Sequence, residues 1–241
     1  MSDIKKISFI KRLSLIIKSF IKFWFYIFIT TLLIVLLMRW IDPIVSSIMI
    51  QRQIDAFVDG EFKLIKNSWI DYDDVSKYVP LALIAAEDQN FPEHFGFDFE
   101  QIKKAIKQNA HRKRIRGAST ITQQLAKNLF LWEGKSFVRK GIEAYFTVLI
   151  ETLWDKKRII EVYMNVIELG DMTFGVASAS EIYLKKDPSK ISPSQAALIA
   201  SVLPNPKRFQ IARPSGYVRA RQSWVIRQMN SLGGIEYLKD L

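Results

Sequence analysis

Apolar positions along the chain fall into two regimes. From Phe23 to Met38 the sequence FWFYIFITTLLIVLLM carries no charge. With Phe20, Ile21 and Trp40 at its ends, and Lys22 and Arg39 able to snorkel, this run reaches the roughly 20 residues that span a bilayer. Beyond residue 75 the apolar residues recur at helical spacing instead. The pattern predicts helices over 80–88, with Pro80 in the first turn, over 98–109, and over 120–130, where Thr120 and Gln123 have the form of a capping box. Two long, strongly apolar helices are predicted at 137–154 and 156–169, and further ones at 174–184, 192–203 and 216–231, with Pro204 and Pro206 closing one of them. No period-2 run bounded by hairpin turns persists, and no internal repeat is visible. Between the regimes, residues 41–74 read as a juxtamembrane segment of mixed polarity with turn residues at Asp59-Gly60 and 71–74. The predicted fold class is all-α, preceded by one transmembrane helix.

Charge gives the apolar run a direction. Residues 1–41 hold seven Lys/Arg against one acid, Asp3, and so carry +6 of the formal net charge of +11. The catalytic part is therefore only moderately basic. A basic tail over 1–19 stays in the cytoplasm, the anchor spans 20–40, and residues 75–241 fold outside. Trp24, Tyr26 and Trp40 lie near the anchor's ends, where interfacial aromatics gather. A cleaved signal peptide is the alternative, but Ile41-Asp42-Pro43-Ile44 offers no small-x-small cleavage site. The length of 241 residues suits one domain plus an anchor. The absence of cysteine excludes disulfides, thiolate metal sites and cysteine nucleophiles.

Three clusters could carry chemistry, and each has a plain alternative. Glu87 and Asp88 end an apolar helix, where the macrodipole disfavours negative charge by about 0.3–1 kcal/mol. A partly buried Glu there could serve as a general base; alone, the same residues suit a surface helix end. Arg116-Gly117-x-Ser119-Thr120-x-Thr122-Gln123-Gln124-x-x-Lys127-Asn128 feeds hydroxyl and amide groups into a helix N-terminus that could meet anionic oxygens, or is an ordinary capped helix. Lys135, Arg139, Lys140 and Glu143 could grip a pyrophosphate; Arg139 and Glu143 also form a simple i,i+4 pair. Glu151, on the same face, reads as structural. The basic run at 111–116 suggests a solvated or headgroup-facing loop in preference to nucleic acid. Only His94 and His111 could serve a serine triad, and no G-x-S-x-G is present.

Taken in order, these segments resemble the glycosyltransferase family 51 module of bacterial cell-wall synthesis, in its stand-alone, monofunctional form. Glu87-Asp88-x-x-Phe91-x-x-His94-x-Gly96-x-Asp98 is similar to the first motif. Gly117-x-Ser119-Thr120-Ile121-Thr122-Gln123-Gln124-x-x-Lys127-Asn128 is similar to the second, and Arg139-Lys140-x-x-Glu143 to the third. Lys156-x-x-Ile159-Ile160-x-x-Tyr163-Met164-Asn165 resembles the fourth, and Arg221 to Met229 the fifth. The resemblance covers about residues 75–233.

The resemblance implies a lysozyme-like glycosyltransferase domain with a small membrane-facing jaw within 99–118. It implies polymerisation of lipid II into β-1,4-linked glycan strands, with inversion at the donor N-acetylmuramic acid and release of undecaprenyl pyrophosphate. Glu87 and Glu143 would be the catalytic residues. Asp88, Phe91, His94, Gly117, Ser119, Thr120, Gln123, Gln124, Lys127, Asn128, Lys135, Arg139 and Lys140 would bind substrate. No cofactor is obligatory, though a divalent cation (Mg or Mn) near Glu143 and the donor pyrophosphate is compatible with the motifs. The partners implied are lipid II, the growing glycan strand and the inner membrane, with other cell-wall synthesis or division proteins as candidates and no nucleic acid. The catalytic domain would be periplasmic and the N-terminus cytoplasmic, with no room after the fifth motif for a transpeptidase. Lys135 stands where the family usually has Arg, which weakens a bidentate grip on phosphate; Gln195 and Gln222 are further departures. A muramidase-like hydrolase and a catalytically silent scaffold are the rivals.

Overall fold

The computed structural model describes residues 2–109, 117–134 and 136–241, and these form two units, 1–42 and 43–241. The first unit is dominated by a continuous helix, α1 (Ser2–Leu37). Its stretch Ser14–Leu37 is long and apolar enough to cross a membrane. At 1.5 Å per residue those 24 residues reach about 36 Å, beyond the roughly 30 Å hydrocarbon core. The Thr31 hydroxyl donates to the carbonyls of Ile27 and Phe28, both at 3.0 Å, so this polar group is satisfied within the helix. Helix covers most of the expected tail as well as the anchor, and it stops at Leu37, short of the expected end at 40.

The second unit is the folded domain. Its elements run α2 (Ser47–Val58), β1 (Lys66–Asn67), α3 (Tyr78–Glu87), α4 (Phe99–Asn109), α5 (Ile121–Phe130), α6 (Phe137–Leu153) and α7 (Lys156–Val166). They continue with β2 (Glu168–Gly170), β3 (Thr173–Phe174), α8 (Val176–Ala179) with a π turn over Ser180–Leu184, α9 (Pro193–Ser201) and α10 (Gly216–Ser231). Helix α3 is the centre. Every residue from Val79 to Ala85 is buried, which suits a helix apolar on all sides. It packs against α7, α9 and α10, while α5 packs against α2, α6 and α7. Helix α7 therefore touches both elements that end at the candidate site.

The structure departs from the sequence reading in two places. The first is the segment 41–74, expected as juxtamembrane; the folded unit begins at Pro43. Helix α2 buries Ile48, Met49, Arg52 and Ala56, but Ile50, Ile54, Phe57 and Val58 are exposed on its other side. Apolar residues thus lie on its exposed side as well, and the only buried polar position in this helix is an arginine. Arg52 binds Glu168 through Nε (3.0 Å) and Glu133 through Nη1 (2.7 Å), which ties α2 to β2 and to the turn after α5.

The second departure is a small sheet of short strands that the pattern did not predict; the domain is otherwise helical, and the all-α fold class stands. Strand order is β1-β3-β2, with β1 parallel and β2 antiparallel to β3. The helix expected over 156–169 stops at Val166 so that Glu168–Gly170 can pair. Asn165 holds this junction: its side chain accepts from the Ile70 amide (2.9 Å) and donates to the Ile70 carbonyl (2.8 Å). Gly175, at φ +76°, lies so close that a Cβ there would meet the Asn165 carbonyl oxygen at 2.9 Å. Residues 110–116 of the expected jaw fall outside the described residues. Its described helix, α4, carries exposed Phe99 and Ile106 among lysines.

Candidate active site

Glu87 is the last residue of α3, and the chain turns away at Asp88 with φ −158° and ψ 76°. Two neighbouring helices reach its carboxylate. Gln124 of α5 donates through Nε2 to Oε2 at 3.0 Å. Arg221 of α10 donates through Nη2 to Oε1 at 3.1 Å. The Glu87 side chain keeps 17% of its surface open, so it is held on two sides and reachable on another. Burial pushes its carboxyl group above the ordinary value of 4.5, and the Asp88 charge adds to this. Gln124 and Arg221 pull the other way without cancelling it. Desolvation is thus the main cause of the upward shift.

Several residues expected to bind substrate are buried or half-buried near Glu87 and bonded to one another or to the start of α5, while His94 Nδ1 is left without a partner among the described residues. Asp88 is 3% exposed; its Oδ1 meets His94 Nε2 at 2.9 Å and its Oδ2 accepts from the Ile121 amide at 2.9 Å. Phe91 is fully buried, with the Lys156 ammonium 4.6 Å from its ring centre. Thr120 and Gln123 form the expected capping box, and the Thr120 hydroxyl also donates to the Gly96 carbonyl at 2.7 Å. Gly96 sits at φ +75°, and a Cβ there would lie 2.6 Å from Thr147 Cγ2, so the first motif needs glycine for packing. Asp88, Thr120 and Gln123 are buried, and their bonds orient the start of α5. Glu151, read as structural, is buried between Thr122 (2.5 Å) and Lys156 (2.9 Å).

Helix α5 carries the open part of the second motif. Gln124, Lys127 and Asn128 are half-exposed and share one helical face, about 4.5 Å of rise separating Gln124 from Lys127. Gly117 and Ser119 are exposed ahead of the helix. Burial holds the Lys127 ammonium below its ordinary value, while Glu143 and Glu133 draw it up and Arg139 and Arg52 press it down. Lys127 is therefore electrostatically coupled to the third cluster.

That cluster is built on α6. Glu143 is buried, with a 4% exposed side chain, and its Oε2 accepts from Arg139 Nη1 at 2.9 Å. Its Oε1 accepts a short hydrogen bond from Lys140 Nζ. Arg139 Nε is buried and has no partner among the described residues. Lys135 lies outside them. No group of three His, Asp or Glu side chains converges among the described residues. A divalent cation at Glu143 would have to displace two cations already bound there, so the side chains of this cluster do not suit one.

Two further residues belong to the site: Tyr163 of the fourth motif and Arg221, which opens the fifth, neither of them among the expected site residues. Arg221 holds Glu87 directly, and the Tyr163 hydroxyl of α7 donates to Gln124 Oε1 at 2.8 Å. Tyr163 is fully buried in an otherwise apolar stripe. A phenol in such a stripe requires a polar partner, and that was the available signal. Arg221 opens the fifth motif, but nothing in its local pattern connects it to a helix 134 positions earlier.

Comparison with known proteins adds the family. A family model described as transglycosylase matches residues 55–230. A biosynthetic peptidoglycan transglycosylase of Cronobacter sakazakii is 55% identical over 190 residues, covering 78% of this chain and 79% of that protein. Another, of Escherichia coli, is 50% identical over 223 residues, covering 88% of this chain and 92% of its own length. The paired carboxylates, the cations around them and these matches along most of the sequence show that the chain belongs to the transglycosylase family.

Proposed function

We propose that this chain is a membrane-anchored peptidoglycan glycosyltransferase in which Glu87 is the general base. The observation that carries the reading is the Glu87 carboxylate itself: reachable, raised by burial, and fixed by Gln124 and Arg221. Such a group takes a proton well near neutral pH. It would remove the proton from the 4-hydroxyl of the acceptor's N-acetylglucosamine as that oxygen attacks the anomeric carbon of the donor N-acetylmuramic acid. The C–O bond to undecaprenyl pyrophosphate breaks on the opposite face, so α configuration becomes β. The arrangement is that of an inverting glycosidase with a sugar hydroxyl in place of water.

Charge grows on the departing pyrophosphate, and Lys127 and Arg139 are the cations we assign to it, with Lys140 beside Arg139 on α6. Arg139 has a spare buried donor, its Nε, for a phosphate oxygen. Glu143 would act by holding Arg139 and Lys140 in place. Gln124, Asn128, Gly117 and Ser119 would line the donor side. The anchor α1 would leave the basic tail in the cytoplasm and the folded unit in the periplasm, where lipid II and the glycan strand are met. Incubating the detergent-solubilised full chain with labelled lipid II, with and without a divalent cation, and sizing the products tests the reading. Long polymer is expected. Cleavage of preformed strands would make the protein a hydrolase, and no product from a folded protein would make it a scaffold.

A further inference from the structure

The base is held by an amide that could face either way, and the structure shows what settles its direction. Gln124 presents Nε2 to Glu87 and Oε1 to the Tyr163 hydroxyl. Turned by half a rotation, the amide would set its oxygen against a carboxylate and its NH2 against a phenol. A carboxylate accepts only, so the first contact would become repulsive. The carboxylate thus sets the direction, and the Tyr163 hydroxyl holds it by donating to Oε1: burial, together with the charges of Glu87 and Asp88, pushes the phenol well above the ordinary value of 10 and keeps it protonated. Helix α7 packs against both α3 and α5, so the hydroxyl is delivered by the core of the domain.

We propose that Tyr163, which touches no reacting atom, is a positioning residue for the base: its hydroxyl locks the Gln124 amide so that Nε2 faces Glu87. The proposal rests on the reading of Glu87 as the base. The groups that bear on the Glu87 charge are Asp88 beside it, with His94 bound to Asp88, Arg221 from α10, and Gln124 with Tyr163 behind it. Of these, Arg221 binds Oε1, so Oε2 depends on Gln124 alone among the described residues. Loss of the phenol frees the amide, weakens donation to Oε2 and removes a contact that favours the charged form. The base should then be both less well aimed and harder to ionise.

The test is a double-mutant cycle of Tyr163→Phe and Gln124→Met, read as kcat, KM and the pH profile of kcat/KM on lipid II, with Glu87→Gln alongside. Tyr163→Phe keeps the ring and its packing. It should lower kcat between about tenfold and about a hundredfold, as small misplacements of a reacting group do. KM should change less than about threefold, since the substrate contacts remain. The acidic limb should move to higher pH. Gln124→Met should move the limb the same way, and adding Tyr163→Phe to it should move it no further, because the two act through one hydrogen bond. Should Tyr163→Phe fail to fold, Gln124→Met read alone decides: a limb that stays put overturns the proposal. So does a Tyr163→Phe enzyme with the wild-type limb, or losses that add in the double variant. An active Glu87→Gln enzyme overturns the base assignment and the proposal together; an inactive one with an unmoved Tyr163→Phe profile overturns only the proposal.

Discussion

The surroundings of Glu87 and Glu143 give the same side chain two different tasks. Glu87 is held by one neutral amide and one guanidinium, each from a different helix, and retains an open edge. Glu143 is closed, with both oxygens bound to cations three and four residues earlier on its own helix. A carboxylate supported by distant elements can be desolvated without being neutralised, and so becomes a base. One saturated by local cations is committed to holding them. Environment decides the role, as it does wherever two carboxylates share one reaction.

The contrast can be broken at either carboxylate. Glu87→Gln should have the largest effect, removing at least about a hundredfold of turnover, the low end of what general base catalysis supplies, with an unchanged melting temperature. Glu143→Gln should differ in kind. It leaves Arg139 without its buried partner, at a cost of about 3 kcal/mol in stability, and it lowers activity by releasing Arg139 and Lys140. A Glu143→Gln protein of unchanged stability would contradict the holding role. Lys127→Met, measured by steady-state kinetics, should weaken donor binding about tenfold, the worth of one charged hydrogen bond. Thr120→Ala should have the smallest effect. It removes the cap of α5, costing about 1 kcal/mol by denaturant unfolding. Activity should fall with it only as far as the start of α5 loosens beneath Glu87.

Much of this contrast was legible in the sequence, for physical reasons. Residues close along a helix announce themselves: Arg139, Lys140 and Glu143 at spacings of four and three, and Thr120 and Gln123 as a box. Among the described residues, α3 to α7, α9 and α10 lie where helices were predicted. Glu87 could be suspected because a carboxylate closed an apolar helix. Contacts between distant segments left no such trace. Arg221 reaching Glu87, Tyr163 reaching Gln124, and Arg52 joining Glu133 to Glu168 depend on how helices cross. The short strands could not be seen because a pair of residues has no period. Motif membership also misled in one respect. It grouped Asp88, Phe91, Thr120 and Gln123 with the open residues of the same motifs, and gave no sign that these four are buried.

The most direct test of Glu87 as a base tuned by burial is the pH dependence of kcat/KM on lipid II for the wild type and for Arg221→Ala. That ratio reports the ionisation of the free enzyme. Burial raises Glu87 above 4.5 and Arg221 opposes the rise. Activity should therefore fall, as pH is lowered, at a point above 4.5 in the wild type. Without Arg221 it should fall at a higher pH still. An acidic limb at or below 4.5, or one that Arg221→Ala leaves in place or moves down, would contradict the account.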